Sequence, residues 1–215
     1  MLRGALLDPV DAHCFWNGTF SREEKNGLLH RVPGGARLTL PGEGVGDLNR
    51  FLWLDQLYYL PDDILYKCDR MSMAHSLEVR PPFLDHRIVE FAATLPESLK
   101  IRGGNLKRVL RELMRDRLPK AVIHRSKEGF DIPTHHWFRT VLRPLLQDTI
   151  NQRAVRESGL LVWSEIEKRM RAHWERRANL GYHLWGLLVL FLWMKRWNIT
   201  APTEPLEVPA DIATN

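Results

Sequence analysis

Three places in the sequence set ionisable side chains in local patterns that a hydrophobic core does not require. Glu78 and Arg80 lie in Leu77-Glu78-Val79-Arg80-Pro81-Pro82-Phe83-Leu84-Asp85, at the exit of a helical pattern and between apolar neighbours. A carboxylate so placed is partly desolvated and held by a cation, which suits acid/base or electrostatic work; the same pair also reads as a structural ion pair. Lys127 stands in Arg125-Ser126-Lys127-Glu128-Gly129-Phe130, a stretch without helical period. A lysine there either reaches a phosphate as a point charge or rests in solvent. Lys107 falls in the first turn of a helical pattern that follows Gly103-Gly104. Backbone N–H groups and an ammonium can meet one anion there, although such a pattern taken alone has little specificity.

Several chemistries are excluded. The sequence has no G-x-x-x-x-G-K-[ST] loop and no G-x-G-x-x-G after a strand, so a complete nucleotide-binding sheet is not encoded in these residues. The nine histidines form no H-E-x-x-H, and His135-His136 point to different helix faces, so no zinc site is expected. With Leu at residue 2, N-terminal-nucleophile hydrolysis is not expected. Cys14 and Cys68 are far apart and fit a reducing compartment rather than a disulfide framework.

The 215 residues, 44% hydrophobic and 27% charged, have the composition of a folding globular chain. The formal charge of +5 suits anionic small molecules as well as nucleic acid. A basic stretch, Lys168, Arg169, Arg171, Arg176 and Arg177 around Trp174, is interrupted by Glu165, Glu167 and Glu175. It reads as a solvated helix face, and nucleic acid is not expected as a partner. The apolar run 184–194 falls short of the ~20 residues that span a bilayer. The N-terminus does not match a secretory signal, so the expected setting is the cytoplasm, with no membrane contact.

The elements that must position these groups follow a period of 3.6, and the chain reads as mainly α. A helix is expected over 48–60, and Pro61 then opens a second with Ile64, Leu65, Cys68 and Met71 as its buried stripe. Asp85 is placed to cap a helix bearing Ile88, Phe91, Ala92 and Leu95, which Pro96 stops. Gly103-Gly104 make a turn and Asn105 is the expected cap of the next helix. Its stripe is Leu106, Val109, Leu110, Leu113 and Met114, with Lys107, Arg108, Arg111 and Arg115 on other faces, and Pro119 ends it. Helices over 137–150 and 164–177 precede a buried one over 184–197. The Gly-rich stretch 31–47 reads as a long loop and 200–215 as a flexible tail.

The phrases Leu60-Pro61-Asp62-Asp63-Ile64-Leu65, Asp69-Arg70-Met71-Ser72-Met73-Ala74-His75-Ser76-Leu77-Glu78-Val79-Arg80 and Pro82-Phe83-Leu84-Asp85-His86 occur in that order. Leu99 to Gly104, Lys107 to Arg111, Arg125 with Lys127, Gly129-Phe130 and Leu184-Trp185-Gly186-Leu187-Leu188 follow. Together they resemble the C-terminal synthetase domain of the glutamine-dependent asparagine synthetases over about residues 12–198. The resemblance implies the helical C-terminal lobe of an α/β adenine-nucleotide hydrolase-like (PP-loop) synthetase domain, occupying 1–199, with most of the parallel sheet absent. It also implies an activity in which ATP and magnesium activate aspartate as a β-aspartyl-adenylate. Glutamine-derived ammonia then displaces AMP, giving asparagine and pyrophosphate. By position, Glu78 and Lys127 become catalytic, Lys107 and Lys127 contact ATP or pyrophosphate, and Asp69, Arg70, Arg80 and Asp85 support the site.

The family's S-G-G-x-D-S loop and N-terminal Cys glutaminase are not in these residues. The expectation is a portion of the enzyme that is inactive alone and needs the glutaminase and PP-loop portion, from the same gene or a separate subunit, with a homodimer as one assembly. Helices missing their sheet would leave apolar stripes in water and favour association. Two alternatives stay open: a related amidotransferase or cyclase adenylating another carboxylate, and a non-enzymatic helical interaction module.

Overall fold

In the computed structural model, which describes residues 4–31, 45–126, 129 and 132–200, helices follow one another. Among the described residues the β pairing is confined to two isolated bridges, Leu29 with Leu161 and Arg102 with Asn105. This is the mainly helical class that the periodicity implied. The predicted tail beyond residue 200, Lys127 and most of the Gly-rich stretch lie outside the described residues.

The chain forms two compact units, one from 1–7, 11–38 and 130–215, the other from 8–10 and 39–129. In chain order the helices are α1 (Pro9–Asn17), α2 (Arg22–Leu28), α3 (Asp47–Leu54), a π-helical stretch (Asp55–Leu65) and α4 (Tyr66–Met73). There follow α5 (His86–Thr94), α6 (Glu97–Lys100), α7 (Arg108–Met114), α8 (Lys120–Ile123), α9 (Thr134–Trp137) and α10 (Arg143–Thr149). The last three are α11 (Gln152–Ser158), α12 (Trp163–Trp174) and α13 (Gly181–Trp197).

The first unit has a conventional core. Leu28, Phe138, Leu146, Ile166, Leu184 and Leu187 are buried in one cluster. Each such side chain contributes about 1.5–3 kcal/mol on removal from water. Helix α13 runs through this cluster but is buried on one face only, because Trp185, Val189, Leu192 and Trp193 are exposed. Of the expected helix over 137–150 only Arg143–Thr149 (α10) is helical beyond Trp137, which ends α9; residues 138–142 form a turn in which Leu142 N–H bonds back to the Trp137 carbonyl. Helix α2 starts at a complete capping box, in which Ser21 Oγ accepts from Glu24 N–H and Glu24 accepts from Ser21 N–H. Burial disfavours the Glu24 charge. The hydrogen bonds with Ser21, with His183 and Arg169 nearby, more than compensate and hold its carboxyl below the usual range.

His173, fully buried, ties three segments together. Its Nε2–H donates to the His135 carbonyl at 3.0 Å and its Nδ1 accepts from Leu180 N–H at 3.0 Å, an arrangement that fits one neutral tautomer. Beside it, Arg139 donates to the carbonyls of His173 and Ala178, and Trp174 Nε1–H donates to that of Phe138.

The second unit is held differently. Helix α3, the π stretch and α4 form one continuous helical run through Pro61, so the expected break there is absent. The turn widens instead, and Tyr66 N–H reaches the Pro61 carbonyl five residues back. In an α-helix the proline ring would meet the carbonyl four residues earlier, and the π turn is where the chain accommodates it. The anticipated buried stripe of this run is not buried. Met71 is 62% exposed and Cys68 is exposed. The stripes of α5 and α7 also face solvent at Phe91 and Leu113. The periodicity correctly located helices whose apolar faces have little cover among the described residues.

Polar contacts supply order at the ends. Gly46 precedes α3 without a capping side chain, and Glu97 Oε1 accepts from Leu48 N–H at 2.8 Å and Asn49 N–H at 3.3 Å in its place. Lys100 then donates to Asn49 Oδ1. Partial burial lowers the Lys100 pKa, with Glu97 working the other way.

Two measurements check the first unit. Burial, then the Arg139 and His135 charges, push the His173 pKa below the ordinary histidine value, against the opposing bond to His135. The unfolded chain therefore binds a proton near pH ~6.5 that the folded chain refuses. The thermal midpoint should fall as pH drops through that range and level off below the folded-state pKa. In His173→Gln the slope should shrink, and an unchanged slope would assign the loss to other groups. In the second measurement, a Cβ on Gly181 would lie 2.7 Å from the His135 backbone nitrogen, whereas one on Gly27 meets nothing within 4 Å. Denaturant titration should show Gly181→Ala destabilising by about 1–3 kcal/mol and Gly27→Ala stabilising by about 0.5–1 kcal/mol.

Candidate functional site

The candidate residues cluster where α4 ends. Ser76 takes a left-handed conformation at φ 56°, Ser76 N–H bonds back to the Met73 carbonyl, and Leu77 N–H bonds to that of Ser72. This pair of bonds is a Schellman stop, normally built on glycine. It turns the chain sharply and releases Leu77-Glu78-Val79-Arg80 as a segment without regular secondary structure, leading through an extended Pro81 to a 3-10 turn at Pro82–Leu84.

On that segment Arg80 Nε donates to Glu78 Oε1 at 2.8 Å. The cation expected beside Glu78 is present, but the partial desolvation is not: the two side chains are 66% and 84% exposed. Asp85 caps α5 through Arg87 N–H at 3.0 Å, as its position predicts. It also accepts both arms of the Arg87 guanidinium, and that fork, then the backbone bond, keeps its carboxyl below the usual range. Val79, Arg80, Leu84 and Asp85 line a shallow depression of about 500 Å³. Asp69 and Arg70 lie on the exposed surface of α4, where Arg70 sits 5.3 Å over the Tyr66 ring and the Asp69 carbonyl accepts from Ser72 Oγ.

Lys107 is set differently from its expectation. Gly103 and Gly104 both have positive φ, 55° and 78°. They make a tight hairpin closed by mutual bonds between Arg102 and Asn105. Asn105 is thereby used in the hairpin and does not cap α7. Lys107 occupies the cap position instead, itself left-handed at φ 55°. It lines a groove of about 630 Å³ with Phe83, Leu110, Arg111, Arg125 and Ser126. Phe83 belongs to the Pro82–Leu84 turn, so the Glu78–Asp85 segment and Lys107 share this neighbourhood through one aromatic ring. Lys127 itself lies outside the described residues, and Ser126 is its neighbour in sequence.

Arg111 lines the same groove as Lys107, although the sequence reading places it apart from the site, on a face away from the apolar stripe. It follows Lys107 by four residues, and positions 107, 110, 111 and 114 recur along one helical face. That spacing was the available signal. The groove can take an anion at Lys107 and Arg111 with an apolar group against Phe83 and Leu110, the usual make-up of a small-molecule site. Among the described residues no group of three His, Cys, Asp or Glu side chains could hold a metal ion.

The family model described as asparagine synthase matches residues 11–198. The chain belongs to the asparagine synthase family. Among its relatives is "Asparagine synthetase [glutamine-hydrolyzing]" of Gallus gallus, 34% identical over 205 residues, which cover 87% of this chain and 33% of that protein. "Asparagine synthetase [glutamine-hydrolyzing] 1" of Bacillus subtilis (strain 168) is 29% identical over 147 residues, 68% of this chain and 23% of that one. "Amidase chry2" of Gibberella zeae is 27% identical over 130 residues, 57% and 19% respectively. No solved structure matches the chain. The chain spans only about a fifth to a third of the length of these relatives. Glu78, Lys107 and Lys127 all fall inside the span that the family model matches.

The left-handed serine at the head of this segment can be tested. An L-residue there costs roughly 1–2 kcal/mol that glycine does not. Ser76→Gly should therefore raise unfolding stability by about 1 kcal/mol in urea titration, and Ser76→Val should lower it. Equal midpoints for all three proteins would contradict the geometry.

Proposed function

We propose that these residues are the C-terminal, mainly helical part of an ATP-dependent asparagine synthetase in the cytoplasm. The reaction joins aspartate, ATP and ammonia into asparagine, AMP and pyrophosphate through a β-aspartyl-adenylate. The observation that carries this reading is the family match across 11–198, within which a cation-clamped Glu78 and a cationic groove at Lys107 belong to one compact unit.

In this reading Glu78 acts at the reacting carboxylate as an acid/base or electrostatic group, and Arg80 orients it. Lys127 stabilises charge growing on the α-phosphate and the leaving pyrophosphate, where a fixed cation lowers the barrier most. Lys107 contacts the phosphates. Asp69, Arg70 and Asp85 support the segment, Asp85 by starting α5 and Arg70 by packing on Tyr66. Phosphates fit the groove, since Lys107 and Arg111 are donors without acceptors. Among the described residues no group of three His, Cys, Asp or Glu side chains could hold a metal ion, and in this reading magnesium would accompany the ATP phosphates with one or two carboxylates at most supplied by protein. The glutaminase and the S-G-G-x-D-S loop belong to polypeptide beyond these residues, and a homodimer is one form of the assembly.

A second reading, adenylation of a different carboxylate, takes support from the similarity to the protein named an amidase. ATP–pyrophosphate exchange separates the two. The chain alone should show no exchange and no glutaminase activity. Supplied with the S-G-G-x-D-S portion in trans, it should exchange with aspartate, and Glu78→Gln or Lys127→Met should lower the rate by about 100-fold or more. Exchange by the chain alone would overturn the division of labour. Reconstituted exchange with another carboxylate, and none with aspartate, would transfer the assignment to the second reading.

A further inference from the structure

Helix α13 belongs to the closely packed unit and yet keeps an apolar stripe in water. Tyr182, Trp185, Val189, Leu192 and Trp193 are all exposed. Their spacing of three and four residues puts them on one face of the helix, turned away from the Leu184, Leu187, Leu188 and Phe191 face that fills the core. The stripe ends in charge. Arg196 continues it and Lys195 stands beside it, both exposed in the last turn. A row of aromatic and aliphatic side chains of this kind is a surface that another segment covers.

The chain carries a segment that matches this surface. Residues 130–200 hold eleven Lys and Arg against six Asp and Glu, whereas 201–215 hold three acids and no Lys or Arg. In Leu206-Glu207-Val208-Pro209-Ala210-Asp211-Ile212 the apolar residues alternate with acids or proline. An extended backbone therefore has Leu206, Val208 and Ile212 on one side and Glu207 and Asp211 on the other. Pro205 and Pro209 oppose a helix there. The end of α13 sets where the segment starts. Asn198 is left-handed at φ 52° and Ile199 N–H bonds to the Met194 carbonyl, a turn that stops the helix and takes the chain off its axis. Residues 201–212 reach about 37 Å at about 3.1 Å each. The stripe from Tyr182 to Arg196 is about 21 Å long at about 1.5 Å per residue, so the segment spans it with slack.

We propose that 201–215 folds back along this stripe, with Leu206, Val208 and Ile212 against its aromatic and aliphatic side chains and Glu204 and Glu207 toward Lys195 and Arg196. Covering the two tryptophans removes apolar area from water, and the tether makes the contact intramolecular, so a small interface is enough to hold it. The charges select the occupant. A second copy of α13 fits the stripe less well, because the helix contains no Asp or Glu to meet Lys195 and Arg196. The contact stands on α13 and on the charge of the last residues, whichever carboxylate the chain helps to activate.

Hydroxyl-radical footprinting read by mass spectrometry reports exposure residue by residue, in the full chain and in a chain ending at Thr200. Oxidation of Trp185 and Trp193 should rise severalfold on truncation, while that of Trp16, exposed on α1, should stay the same. In the full chain, Leu206→Asp with Val208→Asp should reproduce the effect of truncation. Glu204→Lys with Glu207→Lys should lose part of the protection, and adding Lys195→Glu with Arg196→Glu should restore it. The protection should not depend on chain concentration. Circular dichroism melts report whether each variant folds, and should the truncated chain or the helix variants fail to fold, the substitutions at 206 and 208 decide. Equal oxidation in the full and truncated chains, no effect of Leu206→Asp with Val208→Asp, or a charge loss that the folded swap does not restore would overturn the proposal. So would protection that disappears on dilution together with a sedimenting dimer, which would give the stripe to a second copy.

Discussion

The carboxylate of Glu97, accepting from the N–H groups of Leu48 and Asn49, is the contact on which the second unit depends. An uncapped helix leaves several donors open, and the residue before α3 is a glycine with no side chain to satisfy them. By closing that end from far along the chain, Glu97 joins α6 to the start of the helical run 47–73. The far end of the same run is stopped at Ser76, and the stop aims the Glu78–Asp85 segment. The candidate site is thus placed by two helix ends, one satisfied from outside and one closed on itself, and much less by a buried core.

That economy agrees with the share of the family's length that the chain covers. Apolar stripes on α4, α5 and α7 are regular in sequence yet exposed, and Glu78 in the same unit is also largely exposed, paired with Arg80. Exposed ion pairs are weak because water screens them. A carboxylate in that state has an orientation but lacks the low-dielectric surroundings that amplify its field. The first unit contrasts with this. Its core closes around α13, and its buried His173 has both ring nitrogens bonded. One half of the chain is therefore packed, and the other presents chemistry on a lightly packed frame.

The chain belongs to the asparagine synthase family, and the positive charge of its second unit is concentrated on α7 and its two flanking turns. The tight Gly103-Gly104 hairpin and the left-handed Lys107 set the direction from which that helix starts. Because 107, 110, 111 and 114 lie on one helical stripe, this short helix lines the Lys107 groove with both cations and apolar side chains.

Much of this was legible from the residues alone. Period-3.6 patterning located the helices, Asp85 announced the start of α5, and the paired glycines announced a turn, since each of these signals acts through neighbours in the chain. Arg80 beside Glu78 was legible for the same reason. What residue order left undecided was everything that depends on distant neighbours. It did not show that Pro61 would be absorbed in a π turn, that Asn105 would close a hairpin and leave the cap position to Lys107, or that Glu97 would cap α3. Nor did it separate an apolar stripe with a partner from one without, because periodicity records which face avoids water and not whether anything covers it. Local chemistry was set by the sequence; burial, and with it the field each charge feels, was decided only when distant segments met.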